Sequence, residues 1–133
     1  MAGETDLNRL LAGLSPRLNP GEFVFCCVAT PSAEQAAAAL GSFREAEGST
    51  LILARDDAER LGLAYDYVAA WITLEVHSAL AAVGLTAAFA TALTREGISC
   101  NVIAGYHHDH LFVASGDAQR ALAALRRLAT EAH

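Results

Sequence analysis

The apolar positions of this chain switch several times between a helical spacing and continuous strand-like runs. Near the start, four leucines fall at i, i+3, i+4 and i+7, which predicts an amphipathic helix over residues 6–14. Thr5 or Asp6 can cap its first amides, and Pro16 ends it. The Asn-Pro-Gly sequence at 19–21 is then a turn signal.

The rest of the pattern predicts alternating strands and short helices. Apolar runs predict strands over residues 22–29, 43–47, 50–54, 68–76, 99–104 and 110–114. Capping patterns and apolar stripes predict helices over residues 33–40, from Asp56 to Gly62, from Thr86 to Gly97, and from Asp117 to the C-terminus.

Three helix starts carry specific predictions. Ser32 and Gln35 have the spacing of a capping box, in which each side chain satisfies the other residue's amide. The sequence Asp56-Asp57-Ala58-Glu59 is another capping pattern. Thr86 is expected to cap a helix with one apolar stripe, and that stripe consists of Leu85, Phe89 and Leu93.

The two halves of the chain are similar in sequence. Residues 51–60 match residues 111–120 at a constant offset of 60, and residues 23–28 match residues 71–76 at an offset of 48. The first copy is shorter where its first helix should be. Two copies of strand-helix-strand-strand-helix indicate a duplicated ferredoxin-like unit. The second copy lacks a last strand, so it should borrow one from the first copy or have a shorter sheet.

One long segment carries a family likeness. Residues 71–113, WITLEVHSALAAVGLTAAFATALTREGISCNVIAGYHHDHLFV, resemble small proteins built as a tandem pair of ACT domains. Their hallmark is VHSxLxAVGLT followed by GISxNVxAGYxHDH, and the likeness extends to residues 15–26 and 43–53. The resemblance implies an α+β fold of tandem ferredoxin-like βαββαβ units. We expect a unit over residues 1–67, with an extra N-terminal helix and a short next helix, and a second unit over residues 68–133.

The resemblance also implies a function. By analogy with ACT domains attached to amino-acid biosynthetic enzymes, it implies a non-catalytic regulatory protein that binds an amino acid or a similar small metabolite. In such relatives the effector lies between the loop after the first strand and the second strand. The residues expected at the ligand are His77, Val83, Gly84, Leu85, Thr86, Asn101, Val102, Ile103, Tyr106, His108, Asp109 and His110. The first copy has Thr30-Pro31-Ser32 at the corresponding loop, so we expect one site per chain.

Two of these positions, Gly84 and Asn101, can also be interpreted from their residue types alone. Gly84 permits a close backbone approach, and the free amides of residues 86–88 suit a carboxylate; alternatively, Gly84 allows a tight strand-to-helix connection. Asn101 is unusual in the middle of a strand. It either contacts a ligand or is a surface-facing or edge-pairing side chain.

The sequence His107-His108-Asp109-His110 leaves three interpretations open. Strand alternation would put His108 and His110 on one face, where they could join His77 in a metal site. A polar network at a ligand or an interface is the second interpretation, and a solvated hairpin tip is the third. No metal or cofactor is predicted, because a fourth ligand is not evident.

Composition narrows the classes of partner and compartment. The chain has a net charge of -6 and no basic stripe, so nucleic acid is not an expected partner. No apolar run reaches the length of a membrane span, which argues against a membrane partner. Glu4 and Asp6 stand where a signal peptide would be positively charged. We therefore expect a cytoplasmic protein.

The remaining chemistry points away from catalysis. Ser78 adjoins His77, but no nucleophile elbow, phosphate loop or paired carboxylates are present. The cysteines Cys26, Cys27 and Cys100 fall in apolar segments and suit reduced core thiols. A homodimer joined through ACT sheets or helices is the expected assembly. The alternatives are an assembly module without a small ligand and, less favoured, a small metal-binding protein that uses the His-Asp hairpin.

Overall fold

The computed structural model describes residues 6–76 and 83–131. In chain order the elements in these ranges are α1 Leu7–Ala12, β1 Pro16–Val28, α2 Ala33–Ala38, β2 Gly41–Glu45, β3 Gly48–Ala54, α3 Arg55–Arg60, β4 Val68–Leu74, α4 Leu85–Arg95, β5 Asn101–Ala104, β6 Asp109–Ala114 and α5 Ala118–Glu131, with a 3-10 turn Ser115–Asp117 before α5. The predicted order of strands and helices, and with it the tandem ferredoxin-like α+β fold, is confirmed.

The chain divides into two compact units. The inner unit is Pro20–Ala69, and the split unit combines the described residues of Met1–Asn19 and Ala70–His133. Helix α1 lies in the split unit, where it contacts α4 and α5, whereas the expected first unit over residues 1–67 includes this helix. The predicted boundary between residues 67 and 68 stays a prediction.

The inner unit has the strand order β2-β3-β1, and both neighbouring pairs are antiparallel. Alternate positions of β1 and β3 point to one face and pack with the helices. The buried residues of this core are Val24, Cys26, Leu51, Leu53 and Ala58. Ser32 and Gln35 make both hydrogen bonds of the predicted capping box at α2, which confirms that start.

The split unit has the strand order β1-β4-β6-β5 and uses the beginning of β1. The Glu75 amide donates to the Ser15 carbonyl at 2.8 Å, next to the start of this strand. The residues of β1 in this unit, numbered 16–19, take the place of the last strand that the second copy lacks. Of the two expected alternatives, a borrowed strand and a shorter sheet, the structure has the first.

Helix α4 packs against this sheet and against the helices α1 and α5 of the split unit. Leu85, Phe89 and Leu93 are all buried, as their spacing predicted. The core that they enter also contains Leu10, Leu11, Ile72, Leu74, Leu111, Val113, Leu122 and Leu125. The N-cap is Gly84, with φ +97° and no side-chain cap, so the prediction that Thr86 caps this helix is wrong.

Two further local predictions are wrong. The Asn-Pro-Gly sequence at 19–21 is not a turn between elements but lies inside the long strand β1, where Gly21 takes φ +97°. Glycine alone adopts such an angle without strain, so the strand can bend there without ending. The acidic pattern at 56–59 does not cap α3, because Ala54 is its N-cap.

The internal repeat is visible in matching salt bridges. Arg60 pairs with Asp57 at 3.2 Å, and Arg120 pairs with Asp117 at 2.9 Å. Both pairs have the i, i+3 spacing and stand 60 residues apart in the sequence. The identical Asp and Arg of the two copies therefore perform the same local role.

Candidate functional site

Polar side chains line the sheet face of the split unit that points away from its helices. Ile72 and Leu74 of β4 belong to the helix-facing core, so strand alternation turns Trp71 and Thr73 to the opposite face. Thr73 is 1% exposed and Asn19 is 7% exposed. Buried polar groups require hydrogen-bond partners, and these two side chains have them.

The hydrogen bonds on this face form one continuous network. Arg17 contacts Glu75 through Nε at 2.9 Å and donates from Nη1 to Asn19 Oδ1 at 2.8 Å. Asn19 Nδ2 donates to Thr73 Oγ1 at 2.9 Å and to the Trp71 carbonyl at 3.2 Å. We call this set, together with His110, the sheet-face network.

His110 is the end point of the network. Trp71 Nε1 donates to its Nδ1 at 3.1 Å, and Thr73 Oγ1 lies 3.3 Å from the same nitrogen. The indole ring of Trp71 also stacks on Phe112, with ring centroids 6.2 Å apart. Burial lowers the pKa of His110 below its ordinary value, and His108 and Arg17 lower it further against the opposing effect of Asp109.

The hairpin before His110 is held by a close backbone approach. The Gly105 amide donates to the His108 carbonyl at 2.9 Å. A Cβ on Gly105 would lie 2.7 Å from that carbonyl oxygen and 3.1 Å from His110 Nε2, so only glycine fits there without displacement. Burial raises the pKa of Asp109, while His110 and His108 oppose that rise. His108 Nδ1 is buried and has no hydrogen-bond partner among the described residues.

The structure places the predicted hairpin residues on two paired strands. Ile103 pairs with His110, and Asn101 pairs with Phe112, so these four side chains share the face of the network. Asn101 is exposed, and its Nδ2 lies 3.5 Å from the Phe112 carbonyl. Val102 is half-buried and packs against the opposite, helix-facing core. Tyr106 is 78% exposed and stacks edge-on against His107.

The predicted residues around the helix start lie at the first turn of α4. Leu85 is buried and packs into the core, whereas Thr86 is exposed. Val83 is 83% exposed, and a Cβ on Gly84 would lie 3.1 Å from Leu7 Cδ2. His77 lies outside the described residues. Gly84 to Thr86 and the hairpin residues thus occupy separate elements, and their joint role at a ligand stays a prediction.

A cavity in the inner unit adjoins the loop that corresponds to the Gly84 loop. It has a volume of about 820 Å³ and is lined by Ala29, Thr30, Pro31, Ser42, Arg44 and Ser49. Arg44 is exposed, and no carboxylate among the described residues pairs with it. The expectation of one ligand site per chain stays a prediction, and this cavity is where a second site would be sought.

The structure also bears on metals and thiols. No group of three or more His, Cys, Asp or Glu in residues 6–76 and 83–131 is arranged to hold a metal ion. The three cysteines are free thiols. Cys26 is buried and Cys100 is half-buried, but Cys27 is exposed, so the predicted core placement of Cys27 is wrong.

None of the described helices has both the length and the hydropathy that a membrane span needs.

Most residues of the sheet-face network were not predicted from the sequence. Its unpredicted members are Arg17, Asn19, Trp71, Thr73 and Glu75. One signal was available, because Thr73 interrupts the apolar positions of the predicted strand over residues 68–76. Asn19 gave no such signal, because the strand that contains it was expected to begin only at residue 22. A polar residue inside an apolar strand indicates a partner on the same face.

Solved structures similar to this one share its fold. A Vibrio cholerae protein of unknown function, described as a possible transport protein, is 48% identical with a TM-score of 0.84, and the match covers 92% of this chain and 95% of that one. An Agobacterium tumefaciens protein is 18% identical, with a TM-score of 0.66 and coverage of 87% and 89%. The ligand-free regulatory subunit of aspartate kinase from Thermus thermophilus is 11% identical, with a TM-score of 0.63 and coverage of 85% and 95%.

The chain was also compared with curated protein sequences and with models of protein families. No curated protein sequence matches the chain. Two models described as ACT domain match it, one over residues 2–70 and the other over residues 67–127. The first alone spans more than half of the 133 residues. The chain therefore belongs to the ACT domain family.

Proposed function

We propose that this protein is a non-catalytic regulatory protein that binds an amino acid or a similar small metabolite at the first turn of α4. The observation that carries the proposal is the start of this helix at Gly84. Its N-cap has no side-chain hydrogen bond, and no acidic residue lies in the first turn. The family membership and the sheet-face network support a binding role over a catalytic one.

The helix start offers donors to a carboxylate. The first intrahelical bond runs from the Ala88 amide to the Gly84 carbonyl at 2.9 Å. The free amides are therefore those of residues 85–87, and the prediction of residues 86–88 is wrong for Ala88. The helix dipole adds a partial positive charge at the same end. Gly84 lacks a side chain that would cover these amides. An amino-acid carboxylate is the chemical group that such a site favours.

The test is a thermal-shift screen of the full chain against the twenty amino acids. A ligand at 100 times its Kd should add about 2.7 kcal/mol to the free energy of unfolding. Thr86→Asp then places a negative charge beside the amides and should weaken binding about tenfold. Because the helix dipole stabilises an acidic side chain in the first turn, this variant should still fold.

Thr91→Asp is the matched control, because Thr91 is also exposed on α4 but lies beyond the first turn. It should leave binding unchanged. The proposal fails if no amino acid raises the melting temperature. It also fails at this location if Thr86→Asp and Thr91→Asp bind equally well.

A specific observation favours the rival, an assembly module without a small ligand. Phe43 on the edge strand β2 of the inner unit is 74% exposed, and Leu40 just before β2 is 44% exposed. Exposed apolar residues on an unpaired strand edge suit pairing with another chain. If Phe43→Glu converts a dimer into a monomer in light scattering and no amino acid binds, the rival replaces the sensor.

A further inference from the structure

The contacts of His110 define which of its ring nitrogens carries the proton. An indole N–H can only donate a hydrogen bond. Trp71 Nε1 lies 3.1 Å from His110 Nδ1, so Nδ1 must be the acceptor. A neutral imidazole that accepts at Nδ1 carries its hydrogen at Nε2. Trp71 therefore selects the Nε2–H tautomer.

The hydroxyl of Thr73 supports the same tautomer, because hydrogen bonds from Asn19 and Arg17 orient it. Asn19 Nδ2 donates to Thr73 Oγ1 at 2.9 Å, which leaves the hydroxyl hydrogen free to point to His110 Nδ1 at 3.3 Å. The Asn19 amide is itself oriented, because its Oδ1 accepts from Arg17 Nη1 at 2.8 Å. Each donor in this series thus fixes the direction of the next.

In residues 6–76 and 83–131, the other ring nitrogen of His110, Nε2, has no hydrogen-bond partner, and it is not fully buried. It is therefore the nitrogen that a ligand could reach. Nε2 lies on the side of Gly105, whose missing side chain keeps that approach open. The Asn101 amide is on the same face, one diagonal step across the β5–β6 pair, where diagonal neighbours lie about 7–8 Å apart and their Cβ atoms somewhat closer.

We propose that Trp71, Thr73 and Asn19 are positioning residues that hold His110 as a neutral imidazole whose Nε2–H donates to a carboxylate or carbonyl oxygen of a small metabolite at the sheet face. The donor role rests on the proposed function for the class of ligand, since a metabolite with a carboxylate or carbonyl supplies the acceptor oxygen. It is a contact separate from the α4 amides, because Leu85 of α4 enters the core on the other face of the sheet. The tautomer itself does not depend on any ligand.

The same geometry argues against His110 as a metal ligand. Nδ1 is occupied by two donors, and Nε2 carries a proton in the neutral ring. A metal ion requires a free lone pair on one ring nitrogen. His110 is therefore arranged as a hydrogen-bond donor.

The charged groups around His110 favour the neutral ring. Arg17 of β1 and His108 of the hairpin lower its pKa, and Asp109 raises it by a smaller effect than burial. Glu75, which follows β4, is engaged by Arg17. A second proton at Nδ1 would also face the Trp71 N–H directly. The tautomer should therefore persist below the pH at which an exposed histidine becomes charged.

Nitrogen-15 NMR of the histidine side chains in the full chain tests the tautomer. At neutral pH the wild type should show His110 with Nδ1 unprotonated and Nε2 protonated. Trp71→Phe removes the donor but keeps an aromatic ring against Phe112. It should give a mixture of both tautomers, because the Thr73 hydroxyl can also accept, and the titration of His110 should move to higher pH. Thr73→Ser keeps the hydroxyl and should behave as the wild type.

Two results would overturn the tautomer assignment. One is a wild-type His110 protonated at Nδ1 at neutral pH, which needs no variant and so holds even if Trp71→Phe does not fold. The other is a folded Trp71→Phe protein with a single Nε2–H tautomer and an unchanged titration. Either would make the network a packing feature without a positioning role.

The donor role is tested with acetate, methylammonium and each of the twenty amino acids. A carboxylate-bearing probe should shift the His110 Nε2 signal, and methylammonium should not. In Trp71→Phe, a half-populated tautomer should weaken the apparent affinity about twofold. If an amino acid stabilises the protein but leaves this signal unchanged, the donor role is wrong and the proposed function stands. If nothing stabilises the protein or shifts the signal, both fail.

Discussion

Replacing Gly84 by alanine tests the geometry at the start of α4. Gly84 has φ +97° and ψ -16°, an angle that a residue with a Cβ rarely adopts. The added Cβ would also lie 3.1 Å from Cδ2 of Leu7, the first residue of α1. Two separate costs are therefore expected, one from the backbone and one from the contact.

The magnitude of each cost follows from the surroundings. A non-glycine residue in such a backbone conformation costs about 1–3 kcal/mol. The Leu7 contact is less severe, because the methyl group at the end of a flexible side chain can move by a few tenths of an ångström. Gly84→Ala should lower the free energy of unfolding by about 2–3 kcal/mol in total, most of it from the backbone.

Urea denaturation of three glycine variants separates the two costs. Gly97 also has a positive φ, +70°, but nothing lies within 4 Å of its added Cβ, so Gly97→Ala should cost about 1 kcal/mol. Gly116 has neither feature, and Gly116→Ala should stay within about 0.5 kcal/mol of the wild type. In a Leu7→Ala background, the excess cost of Gly84→Ala over Gly97→Ala should shrink. The assignment of strain to Gly84 is refuted if Gly84→Ala and Gly116→Ala are equally stable.

Three further predictions concern the core, the thiols and pH. Phe89→Ala should destabilise by about 3–5 kcal/mol in urea denaturation, because Phe89 is fully buried; a loss below about 1 kcal/mol would contradict its core position. Mass spectrometry after brief alkylation near pH 8 should find Cys27 modified and Cys100 intact, because Cys27 is exposed while burial raises the pKa of Cys100 to about 11; equal rates would contradict this. Since the pKa of His110 is lowered in the folded state, the unfolded state binds the extra proton, so stability should fall as pH drops from about 7.5 through about 6.5. The raised pKa of Asp109 acts with the opposite sign, in a lower window that begins at its ordinary value of 3.8. His110→Gln should therefore flatten the slope between about pH 7.5 and 6.5, and an unchanged slope there would contradict the assignment.

The sequence predicted the elements where one periodicity dominated. The stripe of Leu85, Phe89 and Leu93 indicated both the helix α4 and its buried face, because three side chains on one side of a helix must find a core. The capping box of Ser32 and Gln35 likewise located the start of α2 from two residues. In both places local pattern and tertiary packing favour the same structure.

Local rules failed where the backbone departs from the geometry that they assume. Thr86 has the composition of a cap, but Gly84 starts the helix two residues earlier with a positive φ. The Asn-Pro-Gly sequence reads as a turn in isolation. In the folded chain it lies within β1, because sheet pairing on both sides of Gly21 outweighs the local preference.

The candidate site was predicted only in part because its partners are far apart in the chain. The sequence indicated Asn101 as a polar residue inside a predicted strand and His110 as part of the polar run His107-His108-Asp109-His110. Trp71 bonds to His110 across 39 positions, and Asn19 bonds to Thr73 across 54. Spacing rules for helices and hairpins contain no information about such pairs. Only the strand order β1-β4-β6 brings them onto one face.

The strand that completes the split unit and the network that holds His110 are one feature. The second copy lacks a last strand, and residues 16–19 of β1 fill that position. Those residues include Arg17 and Asn19, which orient Thr73 towards His110. A strand that served only to close the sheet would not need Asn19 as a buried residue, since burying a polar side chain costs free energy unless it is paired. The pairing of Asn19 with Thr73 and of Arg17 with Glu75 means that the borrowed strand also sets the hydrogen-bonding state of His110.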